Sequence, residues 1–227
     1  MNNHQPIIYV VDDDVSVGRA LSKLLKSHGF KVETFTRSAS FLDFKHPKVP
    51  SCVLLDIRLP DINGLALQEK MLQRGLSIPI IFITGHGDVP KSVQAIKAGA
   101  IDFFIKPFST TRLLDAVTLA IVESKTRNKA QAETAKIWRN IRTLSPRELE
   151  VFRLVVNGML SKQIALKRGT ALQTIKVHRS RVMQKMQAKT VTELIQFAQK
   201  AGLTPPALIN PQLLQRDSST LSLRSCV

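Results

Sequence analysis

The sequence predicts a doubly wound α/β domain with a five-stranded parallel sheet, followed by a smaller all-α domain. Short apolar runs alternate with amphipathic helical patterns through the first half of the chain, which is typical of a sheet covered by helices on both faces. From Leu144 to Ala201 the pattern keeps a helical period and has no strand signal. The basic charge is concentrated in this second half. These observations indicate two domains of different class.

Five apolar runs of strand length predict the sheet, and four of them are continuously apolar, as expected for parallel strands covered on both faces. The predicted strands are Ile7–Val11, Val32–Phe35, Cys52–Leu55, Ile80–Ile83 and Phe103–Ile105. The helical patterns lie near Ser16–His28, Ala39–Phe44, Gly64–Gly75, Val89–Ala98 and Thr110–Val122. In such a sheet, ligands bind beyond the carboxyl ends of the strands.

Composition divides the rest of the chain. We expect the α/β domain at residues 1–122 and a solvated, largely helical linker, rich in Lys, Arg, Ala, Gln and Thr, at residues 123–142. The all-α domain is expected at residues 143–203. Residues 204–227 contain three prolines and a Ser-rich end, which predicts a mostly disordered tail.

The net charge of the chain is +16, and its distribution is uneven. Residues 1–122 hold 14 Lys and Arg against 11 Asp and Glu, whereas residues 123–227 hold 19 against 6. A basic half joined to a nearly neutral half favours nucleic acid as a partner of the second half. A solvated basic surface, or attraction to an anionic membrane, would give the same charge.

The sequence has no signal peptide pattern at its start and no apolar run near the roughly 18 residues that cross a bilayer. The two cysteines, Cys52 and Cys226, supply neither a disulfide framework nor metal-ligand spacing. We therefore expect a cytoplasmic protein with no membrane partner.

Polar residues follow four of the predicted strands: Asp12-Asp13-Asp14, Asp56, Thr84 and Lys106. Because parallel strands end at one rim, these side chains are expected to converge. Carboxylates so close together repel one another unless a cation neutralises them, and Mg²⁺ prefers such oxygen ligands. A lysine and a hydroxyl beside them could bind phosphoryl oxygens, so the set predicts phosphoryl transfer.

Each residue also has an ordinary structural interpretation. A lone aspartate at a strand end usually caps a turn or a helix, and Asp14 could cap the helix that follows it. A lone lysine before proline is usually solvated. His86 could act as an acid–base group, but a surface loop histidine is the favoured interpretation. The conjunction at one rim, rather than any single residue, carries the prediction.

The order of these motifs resembles the receiver domain of bacterial two-component response regulators, which has a flavodoxin-like fold. The resemblance covers about the first 120 residues. It rests on Asp12-Asp13, on Asp56 followed by Ile57-Arg58-Leu59-Pro60-Asp61 and Gly64, on Thr84-Gly85-His86-Gly87-Asp88, and on Lys106-Pro107-Phe108.

The resemblance implies a role for each site residue. Asp56 would accept a phosphoryl group from a sensor histidine kinase, and Gly85 would leave room for the phosphodonor. Mg²⁺ would be held by Asp12, Asp13, Asp56 and the backbone carbonyl of Arg58. Thr84 and Phe103 would form the switch pair, in which the hydroxyl moves toward the phosphoryl group and the ring swings inward.

The second half opens with the helix-start signal Leu144-Ser145-Pro146-Arg147-Glu148, in which Ser145 and Glu148 have capping-box spacing. This helix is expected to stop at Asn157-Gly158. Further helices are predicted around Ser161–Lys167, from about Thr170 to Met186, and around Thr192–Lys200. Short helices joined by tight turns, with the third one basic, are what a helix-turn-helix needs.

The third of these helices has two faces. Ile175, Val182 and Met186 form the expected inner face, with His178 nearby. The outer face, together with one residue of the preceding helix, gives the predicted DNA contacts: Lys162, Gln173, Thr174, Lys176, Val177, Ser180, Arg181 and Gln184. The cations would contact phosphates and the central residues would touch base edges. A solvated face of a helical bundle is the alternative.

This half resembles the LuxR-type helix-turn-helix. The resemblance rests on Leu144-Ser145-Pro146-Arg147-Glu148, Gly158, Lys162-Gln163-Ile164-Ala165 and Thr174-Ile175-Lys176-Val177-His178-Arg179. The order of the two domains resembles the FixJ/NarL class, closest to the FixJ branch. Where that family usually has Leu-Gly-Ile-Ser, this chain has Arg168-Gly169-Thr170-Ala171, so the usual cap is changed and Thr170 could serve as a substitute. The last helix would add dimerisation.

Together these expectations describe a DNA-binding transcriptional regulator that is phosphorylated at Asp56, dimerises, binds a promoter and recruits RNA polymerase. It would assist its own phosphorylation and dephosphorylation without being a dedicated enzyme. One rival is an aspartate-nucleophile phosphatase, because Asp12 and Asp14 mimic its Asp-x-Asp motif. The other is a phosphorylation-independent adaptor whose helical domain binds protein.

Overall fold

The computed structural model describes residues 5–85 and 89–203. Backbone contacts divide the chain into two compact units between Lys129 and Ala130. The first unit is α/β and the second is helical, so the predicted fold classes are confirmed. The expected domain limits at 122, 142 and 203 stay predictions. The predictions for His86 and for the tail lie outside the described residues.

The α/β unit contains one parallel sheet of five strands in the order β2-β1-β3-β4-β5. The strands are β1 Ile7–Val11, β2 Lys31–Phe35, β3 Ser51–Asp56, β4 Ile80–Thr84 and β5 Asp102–Ile105. The helices that alternate with them are α1 Val15–Ser27, α2 Ser38–Asp43, α3 Gly64–Gln73, α4 Val89–Lys97 and α5 Thr110–Arg142. Every predicted strand is present, with ends that move by at most one residue.

The sheet is covered on both faces, which explains why its central strands are continuously apolar. All residues of β1, β3 and β4 are buried. Alternate residues of each strand point to opposite faces, so Ile8 and Val10 enter one core cluster while Tyr9 and Val11 enter the other. The sheet therefore has a separate apolar core on each face, and the site residues lie at or just beyond the ends of the strands.

The register brings the ends of the strands to one edge. Val11 pairs with Leu55, Asp56 pairs with Ile83, and Thr84 pairs with Ile105. The residues that follow these pairs, Asp12 and Lys106 among them, consequently emerge side by side.

The helical unit contains α6 Pro146–Val156, α7 Ser161–Arg168, α8 Leu172–Met186 and α9 Val191–Lys200. The expected capping box is present: Ser145 Oγ accepts from the Glu148 amide at 3.3 Å, and Glu148 Oε2 accepts from the Ser145 amide at 2.8 Å. Glu148 is buried and also accepts a hydrogen bond of 2.6 Å from Lys185 Nζ. The hydrogen bond from Lys185, followed by the bond from the Ser145 amide, lowers the pKa of Glu148 to about 2.

The expected linker is helical, but it is not solvated along its whole length. Helix α5 continues without a break through residues 123–142. Its last part buries Ile137 and Ile141 in the core of the helical unit, and Trp138 packs against the same core. These three residues are the large apolar side chains that interrupt the polar composition of the segment, and burying them extends the core of a small unit.

Candidate functional site

Three carboxylates form a cluster at the carboxyl edge of the sheet. Ligand atoms of Asp12, Asp13 and Asp56 lie within 4.8 Å of one another. Asp12 and Asp56 are buried, and Asp13 is exposed. Buried carboxylates this close need a compensating positive charge.

Lys106 supplies part of that charge. Its ammonium nitrogen lies 2.7 Å from Asp12 Oδ2 and 3.7 Å from Asp56 Oδ2. The loop after β5 holds the lysine in place, because the Lys106 amide donates to the Thr84 carbonyl oxygen at 2.7 Å. The structure thus joins residues that are distant in the sequence, as the rim argument predicted.

Burial raises the pKa of Asp56, and the neighbouring Asp12 and Asp13 carboxylates act in the same direction. Two groups oppose this rise, the Arg58 amide, which donates to Asp56 Oδ1 at 3.1 Å, and the Lys106 ammonium. Burial therefore disfavours ionisation of Asp56, whereas the Arg58 amide and the Lys106 ammonium favour it. Any additional cation in the cluster would favour the carboxylate form.

The donor set fits Mg²⁺. Three carboxylates and one ammonium leave two formal negative charges in the cluster, and carboxylate oxygens are the ligands that Mg²⁺ prefers. Exposed Asp13 leaves the cluster open on one side, so that bound water or a phosphate oxygen could complete the coordination.

Asp14 belongs to the helix rather than to the cluster. It is the N-cap of α1, where its Oδ1 accepts from the Ser16 hydroxyl at 2.6 Å and from the Ser16 amide at 2.8 Å. The hydrogen bond from the Ser16 hydroxyl lowers the pKa of Asp14. The capping interpretation of this residue is the one that the structure supports.

Thr84 and Phe103 occupy neighbouring strands. Thr84 is the last residue of β4 and is buried, one position beyond the pair of Ile83 with Asp56. Phe103 is half-buried on β5, and its ring centroid lies 6.4 Å from that of Phe82. Gly85 follows Thr84 and is exposed, and a Cβ built on it meets no atom within 4 Å.

The segment after Asp56 contains a residue whose role the sequence did not reveal. Asp61 accepts hydrogen bonds from the Ser38 hydroxyl at 2.7 Å and from the Ala39 amide at 3.0 Å, at the start of α2. Burial acts to raise the pKa of Asp61, but these hydrogen bonds outweigh it and hold the pKa well below its usual range. The one available signal was that Arg37, directly before α2, is a poor capping residue.

All the residues predicted to contact DNA lie on the exposed surface of α7 and α8. Lys162 on α7 is exposed, as are Gln173, Thr174, Lys176, Val177, Ser180, Arg181 and Gln184 on α8. The opposite face of α8 buries Ile175, Val182 and Met186 in the core. The two faces predicted from the helical period are therefore those of the folded helix.

The turn before α8 differs from the prediction. Helix α8 begins at Leu172 rather than Thr170, and its N-cap is Ala171, which makes no side-chain hydrogen bond. Thr170 is not the substitute cap, because the later start of the helix places it one residue outside the cap. The Arg168 guanidinium of this turn pairs with Glu150 on α6.

Because α8 has no side-chain cap, Ala171→Ser is expected to stabilise the helical unit by about 1 kcal/mol, the usual value of an N-cap hydroxyl. Urea unfolding followed by the fluorescence of Trp138, the one tryptophan of the chain, measures this unit. Ser145→Ala is the matched control, since it removes an existing cap and should lower the stability by a similar amount. A midpoint that Ala171→Ser leaves unchanged would contradict the expectation.

Comparison with known proteins identifies a family for each of the two units. Residues 8–118 match the family described as response regulator receiver domain, and residues 142–198 match the bacterial regulatory proteins of the luxR family. Nodulation protein W of Bradyrhizobium diazoefficiens is 42% identical over 198 residues, which are 87% of each chain. The transcriptional regulatory protein FixJ of that organism is 39% identical over 196 residues, covering 86% of this chain and 96% of the relative.

A solved structure of the response regulator StyR is 40% identical, covers 87% of this chain and 100% of its own, and superposes with a TM-score of 0.74. The fold and the matched families define a two-component response regulator with a DNA-binding domain, for which a kinase and DNA are the partner classes. The chain belongs to the FixJ-like response regulators, a family of transcription regulators. In the described part of the chain, no helix has the length and apolar character needed to span a bilayer.

Proposed function

We propose that Asp56 is the phosphoryl acceptor of this regulator and that a sensor histidine kinase is the donor. The observation that carries the proposal is the cluster of Asp12, Asp13 and Asp56 with the Lys106 ammonium beside it. No other group of three or more potential metal ligands of this kind is found among the described residues.

In the proposed reaction, a carboxylate oxygen of Asp56 forms a bond to phosphorus while the bond from phosphorus to the donor histidine nitrogen breaks. The electron pair of that bond leaves with the imidazole, and the product is an acyl phosphate. Asp56 must react as the carboxylate, a form that Lys106 favours at 3.7 Å. The Lys106 ammonium and the Thr84 hydroxyl would then bind phosphoryl oxygens, which lowers the energy of the transferring group.

Asp12, Asp13, Asp56 and the Arg58 carbonyl would hold Mg²⁺. When bound, this ion neutralises charge on the carboxylates and on the phosphoryl oxygens. The Arg58 backbone is held against Asp56, because the Arg58 amide donates a hydrogen bond to Asp56 Oδ1. The protein is proposed to assist its own phosphorylation and dephosphorylation in this way without being a dedicated enzyme.

Phosphorylation would bias a two-state element, in which Thr84 moves toward the phosphoryl group and Phe103 turns inward. The outcome is proposed to be a homodimer that binds promoter DNA and recruits RNA polymerase. In this dimer Lys162, Lys176 and Arg181 would contact phosphates. Base edges would be read by Gln173, Thr174, Val177, Ser180 and Gln184, which are all exposed.

A labelling experiment tests the acceptor. The full chain is incubated with Mg²⁺ and acetyl phosphate, reduced with borohydride to trap the acyl phosphate, and mapped by peptide mass spectrometry. Label on Asp56 supports the proposal. Label on Asp12 supports the rival aspartate-nucleophile phosphatase, which carries its nucleophile after the first strand.

A binding experiment tests the output. Fluorescence anisotropy with genomic DNA fragments, repeated over a series of salt concentrations, is expected to give an affinity that falls steeply with salt and rises on phosphorylation. An affinity for DNA that is too weak to measure with either form of the protein would favour the rival adaptor. Lys176→Ala together with Arg181→Ala should reduce the salt slope, because each cation displaces counterions from a phosphate.

A further inference from the structure

Asp61 connects the segment after β3 to a different element of the α/β unit. The helix α2 has Arg37 at its N-cap, and this side chain makes no capping hydrogen bond. Asp61 takes that place from 23 residues away: Oδ1 accepts from the Ser38 amide at 3.2 Å, and Oδ2 accepts from the Ser38 hydroxyl at 2.7 Å. With the Ala39 amide at 3.0 Å, the carboxylate satisfies the first donors of the helix.

The helix that Asp61 holds is itself fixed to the core. Phe41 of α2 is fully buried, and its ring makes edge contacts with Tyr9 of β1 and Phe35 of β2 at centroid distances of 5.7 Å and 5.5 Å. Aromatic contacts of this geometry add to the stability that burial provides. Asp61 is therefore attached to a rigid part of the unit rather than to a loose turn.

The segment after Asp56 carries the proposed fourth ligand of the acidic site, the Arg58 carbonyl. It runs from Ile57 to Asn63, and Arg58 pairs with Asn63 in an isolated antiparallel bridge. The Arg58 amide donates to Asp56 Oδ1, so the backbone of Arg58 touches the proposed phosphoryl acceptor directly. Asp61 lies between the two partners of the bridge, which makes it the point where α2 can restrain the whole segment.

We propose that Asp61 is a positioning residue for the acidic site: by capping α2, it holds the segment 57–63 so that the Arg58 backbone stays against Asp56, where the Arg58 carbonyl can serve as a ligand. This inference rests on the proposed function, because it takes the Arg58 carbonyl to be a ligand of the cation. Asp61 itself touches neither the cation nor the phosphoryl group. It acts through the backbone between Arg58 and Asn63.

The test uses the full chain and Mg²⁺ alone. Asp61→Ala is expected to weaken Mg²⁺ binding, measured by isothermal titration calorimetry, about tenfold, the effect typical of a residue that orients a metal ligand. In phosphorylation by acetyl phosphate, the Mg²⁺ concentration that gives half the maximal rate should rise by a similar factor. The rate at saturating Mg²⁺ should stay close to that of the parent chain. A general loss of structure would instead lower the rate at saturating Mg²⁺ together with the Mg²⁺ affinity.

Asn63→Ala is the matched control. Asn63 lies in the same segment and caps α3, where its Oδ1 accepts from the Leu65 amide at 2.9 Å. The Asn63→Ala substitution also removes an N-cap, so it should lower the stability as Asp61→Ala does, while Mg²⁺ affinity should change less than about twofold. Ser38→Ala, which deletes the hydroxyl donor to Asp61, should produce part of the Asp61→Ala effect and add little to it in the double variant.

Equal Mg²⁺ affinity in Asp61→Ala and the parent chain would overturn the inference and leave the proposed function intact. Equal losses of Mg²⁺ affinity in Asp61→Ala and Asn63→Ala would also overturn the inference, because the removal of any N-cap in this region would then be enough to weaken Mg²⁺ binding. If the parent chain binds no Mg²⁺ and takes no phosphoryl group, the proposed function fails, and the inference fails with it.

Discussion

Asp56→Asn is expected to abolish phosphoryl transfer to the chain and with it the dependence of DNA binding on phosphorylation. An amide oxygen is a far weaker nucleophile than a carboxylate oxygen, and the substitution also removes the negative charge that faces Lys106 at 3.7 Å. Transfer from acetyl phosphate, followed by intact-protein mass spectrometry, should fall to background. DNA affinity measured by anisotropy should be the same with and without the phosphodonor.

Asp14→Asn provides the matched control for this result. Asp14 lies two residues after Asp12 and is exposed, but its carboxylate caps α1. Because asparagine is as good a cap as aspartate, phosphorylation and the response of DNA binding should both persist. If DNA binding by Asp56→Asn still depended on the phosphodonor, the proposed acceptor would be wrong.

The sheet could be predicted from the sequence because parallel strands that are buried on both faces must consist almost entirely of apolar residues. The run Ile7–Val11 was predicted with both ends correct, since every residue of this central strand is buried. The edge strand β2 is more mixed and has the exposed Lys31 as its first residue, so its start was placed one residue late. Burial on two faces is a stronger signal than burial on one.

The convergence of the rim residues could be predicted because it depends only on topology. Parallel strands end at the same edge, so Asp12, Asp56 and Lys106 were expected on one rim, and the observed strand order brings them together. The distances did not follow from the sequence. They are set by contacts such as the hydrogen bond between the Lys106 amide and the Thr84 carbonyl, which depends on how β4 and β5 pair.

The role of Asp61 could not be predicted, because its partners are far away in the sequence. The capping box of Ser145 and Glu148 is local and has a fixed spacing, so it can be read directly. A cap supplied across 23 residues to Ser38 has no spacing rule. The ion pair of Arg168 with Glu150 is of the same kind. Long-range side-chain contacts of this type become visible only in the folded chain.

At Gly64, next to the acidic site, the backbone leaves no room for a side chain. It begins α3, and a Cβ built on it would lie 2.4 Å from the Asp56 carbonyl oxygen and 3.0 Å from Ile57 Cα. Both neighbours are backbone atoms of the segment that carries the site, so neither can turn away as a side chain would. The Gly64 amide also donates to the Ile57 carbonyl oxygen at 2.8 Å, which keeps the two segments in contact.

Gly64→Ala is therefore expected to destabilise the α/β unit by about 1–3 kcal/mol, the usual cost of inserting a methyl group into a filled space. Because the strain falls on Asp56 and Ile57, phosphorylation by acetyl phosphate should also slow. Urea unfolding followed by circular dichroism should show an earlier transition, while the fluorescence of Trp138, which packs in the helical unit, should report an unchanged one.

Gly18→Ala makes the same chemical change within α1, where a Cβ meets no atom within 4 Å. There the gain in helix propensity should dominate and raise the stability by about 0.5–1 kcal/mol. The two substitutions are expected to change the free energy of unfolding in opposite directions, because the close approach of the backbone, rather than the loss of a glycine, decides the effect at Gly64. Changes in the same direction would contradict that explanation.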